Sequence, residues 1–174
     1  MNLPTAARDA PAFTIRRATR DDLPAINEIY NQAVLRTTGT FDTEPKSLED
    51  RRAWFDAHHD GLPVLVYEAG GAVIGWVSLS RYSDRAAYDA AAEISIYVDE
   101  TQRGRGAGGN LMAALAAAVE GGPLRTIIAR IATENAASVR LHERAGFATA
   151  GILRSVGEKF GRLLDVTIMQ RMLK

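Results

Sequence analysis

Apolar and basic positions alternate over 13–17, the period of a half-buried strand. The spacing then lengthens. Leu23, Ile26, Ile29, Tyr30 and Val34 recur at helical intervals, and Thr19 or Asp21 can cap the start of the helix they predict. Residues 36–45 lose both periods: Thr37, Thr38, Gly39 and Thr40 precede a lone Phe41, which predicts an exposed loop carrying one aromatic. That ring either tucks the loop onto the core or faces a substrate. Ser47 caps a second predicted helix with Leu48, Trp54 and Phe55, placing His58 and His59 near its end and Gly61 as its closing residue.

Alternation returns over 63–67 and 72–79, two strands joined at Gly70-Gly71 in a hairpin pattern. Residues 81–92 are polar and irregular. From Glu93 to Val98 the alternation is complete, with Glu93, Ser95 and Tyr97 on one face and Ile94, Ile96 and Val98 on the other. After a glycine-rich stretch, Leu111, Met112, Leu115 and Val119 form the buried stripe of a helix that ends at Gly121-Gly122. A strand over 124–131, a short helix over 135–145 stopped by Gly146, and strands over 147–156 and 165–173 finish the chain. The polar stretch 157–162 is expected to connect the last two. The predicted order is β, α, α, β, β, β, turn, α, β, α, β, β.

At 174 residues the chain predicts one domain over 13–174, preceded by a flexible tail, 1–12, that holds prolines and charges. Basic and acidic side chains number 21 each, so no net field draws the protein to nucleic acid or an anionic membrane, and a small-molecule partner is expected. There is no cysteine, which excludes disulfides, thiolate metal sites and a thiol nucleophile. No apolar leader core opens the chain and no run of about eighteen apolar residues follows, which points to the cytoplasm. The adjacent His58 and His59 do not make a metal site, since neighbours on a helix diverge by about 100°.

The candidate chemistry begins at Arg103, Gly104, Arg105, Gly106, Ala107, Gly108 and Gly109, between a strand and a helix. Glycines let the backbone approach an anion, and the helix start aims its unpaired N–H groups and positive dipole end at the same place. Gly104, Gly106 and Gly109 also satisfy the dinucleotide-binding spacing G-x-G-x-x-G. The context argues against that reading: residues 99–103 separate strand from glycines, antiparallel hairpins precede them, and Glu134 stands at a helix cap rather than at a strand end.

The order of elements, with Arg103 to Gly108 matching the motif Gln/Arg-x-x-Gly-x-Gly/Ala, resembles the GNAT N-acetyltransferase superfamily. The element Asn135-x-x-Ser138-x-x-Leu141-His142-x-x-x-Gly146-Phe147 fits that family too, with histidine at a position usually held by tyrosine. Phe41-x-Thr43-Glu44-Pro45, Tyr88, Glu93-x-Ser95-x-Tyr97-Val98 and Lys159-Phe160-Gly161-Arg162 with Asp165-Val166 are similar to the phosphinothricin and methionine sulfoximine acetyltransferases. One departure is Leu163, where that subfamily commonly carries tryptophan.

The resemblance implies an α+β fold, a mixed and mostly antiparallel sheet of about seven strands flanked by four helices. It implies acetyl-CoA as co-substrate, no metal, a homodimer, and a small amine as acceptor. The glycine loop would hold the pyrophosphate, Ile96, Tyr97 and Val98 would pair with the pantetheine arm, and Asn135 and Ser138 would line it. Glu93 would take a proton from the acceptor amine, and His142 would serve as acid or relay. Asn135, Ser138 and His142 share a helix sector of roughly 60°. For the acceptor, Arg85 would pair with an oxyanion while Phe41, Tyr88, Ile94 and Ser95 shape the pocket. A peptide or antibiotic acceptor, and a non-catalytic acetyl-CoA sensor, are the alternatives.

Overall fold

The alternating segments meet side by side in a computed structural model that describes residues 13–173; the expected tail, 1–12, lies outside them. Strand β1 (Phe13–Arg17) leads to helices α1 (Leu23–Arg36) and α2 (Leu48–Asp56), then to β2 (Val64–Ala69), β3 (Ala72–Arg81) and β4 (Ala91–Val98). Helix α3 (Ala107–Ala118), β5 (Thr126–Ala132), α4 (Ala136–Arg144), β6 (Ala148–Lys159) and β7 (Arg162–Met172) follow. This is the order that the periodicity predicts. The seven strands form one sheet, β1-β2-β3-β4-β5-β7-β6, in which only β4 and β5 run parallel.

The strand period sorts side chains onto two covered faces. Trp76, Val64 and Val66 pack with Leu23, Ile26 and Ile29 of α1, and Tyr97 joins that group. The alternate residues, Val77, Leu79, Ile94 and Ile127, pack with Leu111, Met112 and Leu115 of α3. The helices begin where short polar side chains can hold them. Thr19 opens a single 3-10 turn ahead of α1, donating its N–H and hydroxyl to the Asp22 carboxylate at 2.7 and 3.1 Å. Ser47 accepts the Asp50 N–H at 3.1 Å at the start of α2.

Two local expectations are corrected. Helix α2 stops at Asp56, so Gly61 does not close it; His59 instead bridges to Leu62. His58 donates its Nδ1–H to the Trp54 carbonyl at 2.7 Å, which supplies the partner that a longer helix would have given. Among the described residues no cluster of three His, Cys, Asp or Glu side chains could hold a metal ion. The second correction concerns 157–162, which is not a polar connection: β6 runs to Lys159 and β7 starts at Arg162. Only Phe160 and Gly161 turn the corner, both left-handed at φ 53° and 69°. The stretch reads as polar because β6 is an edge strand whose exposed positions carry Glu158 and their like.

Candidate active site

The parallel pair in the centre of the sheet is short. β4 and β5 match only at Ala91, Ala92 and Glu93 against Thr126, Ile127 and Ile128, and then diverge. Beyond Glu93 one side of β4 therefore carries an unpaired backbone. Which groups face the gap follows from strand alternation: the Asp99 N–H donates to Ile74 on the β3 side at 2.9 Å, while the Ala90 carbonyl accepts from Arg125 on the β5 side at 2.8 Å. The peptide groups of Ile94, Ile96 and Val98 thus point into the opening, whereas that of Tyr97, expected to pair with the pantetheine arm, faces Trp76 of β3 and is taken up by the sheet. The Val98 carbonyl is already taken, accepting from Arg103 Nε at 3.1 Å, so Val98 offers the gap only its N–H.

One end of this gap meets the glycine stretch. Gly104 and Gly106 take φ of 76° and 89°, values that cost an L side chain strain, and nothing lies within 4 Å of a Cβ built on Gly104, Gly106 or Gly109. Gly106 caps α3 with its backbone alone, which leaves the N–H groups of Ala107, Gly108 and Gly109 at the helix start open to a ligand. Gly108 has a different reason to be small: a Cβ there would stand 3.1 Å from Leu141 Cδ2, so it sets the close approach of α3 to α4. A cleft lined by Ile96, Tyr97, Val98, Arg103, Gly104, Gly106, Ala107, Gly108, Gly109, Asn135 and Ser138 runs along these groups. Arg105 turns away and donates to Gln102 at 3.2 Å. Open donors, a guanidinium and an unpaired strand edge together fit a long anion that carries amides.

The other end opens into a second cleft of about 1010 Å³, more than a small amino acid fills. Glu93, Ile94, Ser95, Asn135, Ser138 and His142 all line it, beside Phe41. Glu93 is engaged by Arg130 of β5, whose Nε donates to one carboxylate oxygen at 2.7 Å and whose terminal nitrogen donates to the other. This contact raises the Arg130 pKa and keeps the guanidinium charged.

His142 is buried, and its Nδ1–H donates to the Ser138 carbonyl at 2.8 Å, a partner that can only accept. Burial lowers its pKa, so the ring is neutral at pH 7 and Nε2 is an acceptor. Asn135 caps α4, its Oδ1 taking the Ser138 N–H at 3.1 Å, and still lines both clefts with its remaining amide group.

Phe41 is held from an unexpected direction. A Cβ on Gly157 of β6 would fall 2.3 Å from Phe41 Cε2, so the ring lies directly on that glycine. Beside it the buried Lys159 Nζ donates to the Thr40 carbonyl at 2.7 Å, and Tyr30 donates to Asp42 at 2.7 Å. Burial, with Asp42 as acceptor, pushes the Tyr30 hydroxyl up to about 12 and fixes it as a donor. Arg85 and Tyr88 stand apart from both clefts: Arg85 precedes a 3-10 turn, and Tyr88 stacks edge-on with Tyr82 at 5.4 Å.

Sequence reading gave no site role to Arg130, Gly157 or the buried Arg51, and met Lys159 only as part of a motif. Only strand register could have revealed Arg130: Glu93 pairs with Ile128, so Arg130 is the next residue of β5 on that face.

An anion-binding helix start beside an unpaired parallel strand defines a site for an acyl carrier. A model of the acetyltransferase (GNAT) domain matches residues 12–148. The chain is 42% identical over 159 residues to an L-methionine sulfoximine/L-methionine sulfone acetyltransferase of Pseudomonas paraeruginosa, covering 90% of this chain and 92% of the relative. It is 42% identical over 164 residues to a phosphinothricin N-acetyltransferase of Alcaligenes faecalis, covering 93% and 83%. The solved GNAT superfamily phosphinothricin acetyltransferase from Sinorhizobium meliloti, in complex with acetyl-CoA, superposes with a TM-score of 0.87 at 35% identity, covering 92% of this chain and 88% of that one. The chain belongs to the GNAT acetyltransferase family.

Proposed function

We propose that the protein moves the acetyl group of acetyl-CoA to the α-amino group of a small amino acid or analogue, of the methionine sulfone, methionine sulfoximine or phosphinothricin type, with Glu93 as general base. The observation that carries this reading is the unpaired edge of β4, which starts at the candidate base and ends at the glycine loop. The names of the relatives supply the acceptor class.

Acetyl-CoA brings an activated thioester; the chain's residues do the rest. Open N–H groups of α3 and Arg103 hold the pyrophosphate, and the Ile94, Ile96 and Val98 peptide groups pair with the pantetheine arm. An N–H of this edge also polarises the thioester carbonyl, a contribution of about 3 kcal/mol to the transition state. An ammonium has no lone pair, so the acceptor must first lose a proton. Glu93, fixed by Arg130, takes that proton directly or through a water. As the amine nitrogen bonds to the acetyl carbon, the carbon–sulfur bond breaks, and the further proton that the nitrogen sheds passes to the leaving thiolate, giving the free thiol of coenzyme A. His142 is neutral and its Nδ1–H is already committed, so it contributes as a relay through Nε2 rather than as a stored acid.

The proposal includes a homodimer in the cytoplasm. Val156, Phe160 and Leu163 are all exposed on the β6–β7 hairpin, an apolar surface on the sheet edge. No helix among the described residues is long and apolar enough to cross a membrane. Thiol release on mixing the protein with acetyl-CoA and L-methionine sulfone, L-methionine sulfoximine or L-phosphinothricin tests the activity. Release no faster than hydrolysis with all three sinks the reading; sedimentation at a monomer mass removes the dimer.

A further inference from the structure

Three cations line the acceptor cleft: Lys46, Arg51 and Arg130. Two are neutralised, Lys46 by Asp42 at 3.1 Å and Arg130 by Glu93. Arg51 forms no ion pair with any described residue. It is nonetheless only 4% exposed, and its Nε donates to Asn27 Oδ1 at 3.3 Å, a weak bond to a neutral group. Its guanidinium carbon sits 4.5 Å from the centre of the Tyr30 ring, 4.7 Å from Trp54 and 5.7 Å from Trp76. Stacking on aromatic faces offsets part of the desolvation of a buried cation, and burial lowers the pKa of the group. Asp42 and Asp50 line the same cleft and favour the cation at longer range, but neither forms an ion pair with it, so the guanidinium lacks the contacting counter-charge that a buried one normally has.

We infer that Arg51, with the partly exposed Trp54 beside it, is the receptor for the polar tail of the acceptor, a group that joins a methyl to two oxygens, or to an oxygen and an imino nitrogen, on sulfur or phosphorus. The inference rests on the acceptor class proposed above. Such a tail has two needs, a surface for its methyl and donors for its oxygens, and this wall of the cleft offers both within one stack of side chains. The planar fork of arginine suits a paired set of oxygens better than a lysine would. The wall is built by α2, whose Arg51 and Trp54 lie three residues apart and so share a face. It is separate from the Glu93 end where the amine reacts, so tail and amine are read by different elements.

Calorimetry on the protein saturated with coenzyme A tests this, using L-methionine sulfone and L-norleucine, an amino acid of similar length without the oxygens. The wild type is expected to bind the sulfone more tightly. Arg51→Met should weaken sulfone binding by about 30-fold or more, the loss expected for charge-assisted hydrogen bonds, and bring the two ligands close to parity. Arg51→Lys, which keeps charge without the fork, should fall between. Melting curves and coenzyme A affinity report whether the variants are folded. Equal loss for both ligands, no loss for either, or no preference in the wild type overturns the assignment. Thiol release by the wild type with the sulfone is measured alongside: its absence removes the acetyl transfer reading, whereas the Arg51 assignment is judged on the binding pair alone.

Discussion

The two clefts on either side of the β4–β5 opening are built from different materials. The cleft assigned to the coenzyme offers its ligand mainly backbone groups from one stretch of chain, the free edge of β4, glycines without side chains and the start of α3, with residues of α1, α3 and α4 forming its walls. The acceptor cleft is made of side chains brought from α1, the loop before α2, α2 itself, five strands and α4. A surface made of main chain has few ways to vary while it keeps its ligand. A surface of side chains from many elements can change one wall at a time. The division explains how one fold keeps a common donor and takes varied acceptors.

Variants that touch one cleft should leave the other intact, and the largest effect belongs to the candidate base, which lines the acceptor cleft and not the other. Glu93→Gln should lower kcat/KM by about a thousandfold while acetyl-CoA binds as before, measured by steady-state thiol release and calorimetry. An equal loss in coenzyme affinity would show that the clefts are not separable there. Gly106→Ala forces a side chain into a left-handed position, so acetyl-CoA affinity should fall about tenfold with little change in acceptor affinity.

Gly157→Ala is the mirror experiment. The new methyl overlaps the Phe41 ring, and the acceptor KM should rise about fivefold while the coenzyme constant stays put. An unchanged acceptor KM would mean that Phe41 does not shape the pocket.

The smallest effect should come from Asp22, remote from both clefts. Arg16 donates to both its oxygens at 2.7 and 2.8 Å and, with Thr19, holds the carboxyl below its ordinary range. The unfolded chain therefore binds that proton more readily than the folded one. The stability it contributes is complete above about pH 4, the ordinary carboxylate value, and is lost as pH falls through the lower folded value. Asp22→Asn should cost about 1 kcal/mol at neutral pH in chemical denaturation, flatten the acid limb, and leave both kinetic constants alone.

The same contrast governs what could be read from the chain. Period and caps located every strand and helix, and the glycine stretch announced an anion site, because those signals lie between near neighbours. The acceptor cleft depends on pairs far apart in sequence. Gly157 bears on Phe41, Lys159 on Thr40, and Arg130 on Glu93, and no local pattern links them. Arg51 looks like an ordinary charge on a surface helix until α1 and β3 close over it. Arg85 and Tyr88 stand differently: they lie in the irregular stretch 81–92, and the single chain keeps them outside both clefts. The hairpin at Phe160-Gly161 was hidden because an edge strand and a polar loop have similar composition.

The diverging strands also have a thermodynamic consequence. A sheet that stops pairing after Glu93 is an incomplete ladder, and a ligand that completes it binds the folded state alone. Coenzyme level then acts on the lifetime of the protein as well as on its turnover: at a hundred times its dissociation constant, a ligand adds about 2.7 kcal/mol to the unfolding free energy. An abundant donor would protect the enzyme that consumes it, and depletion would expose the seam between β4 and β5 to local opening and to proteases.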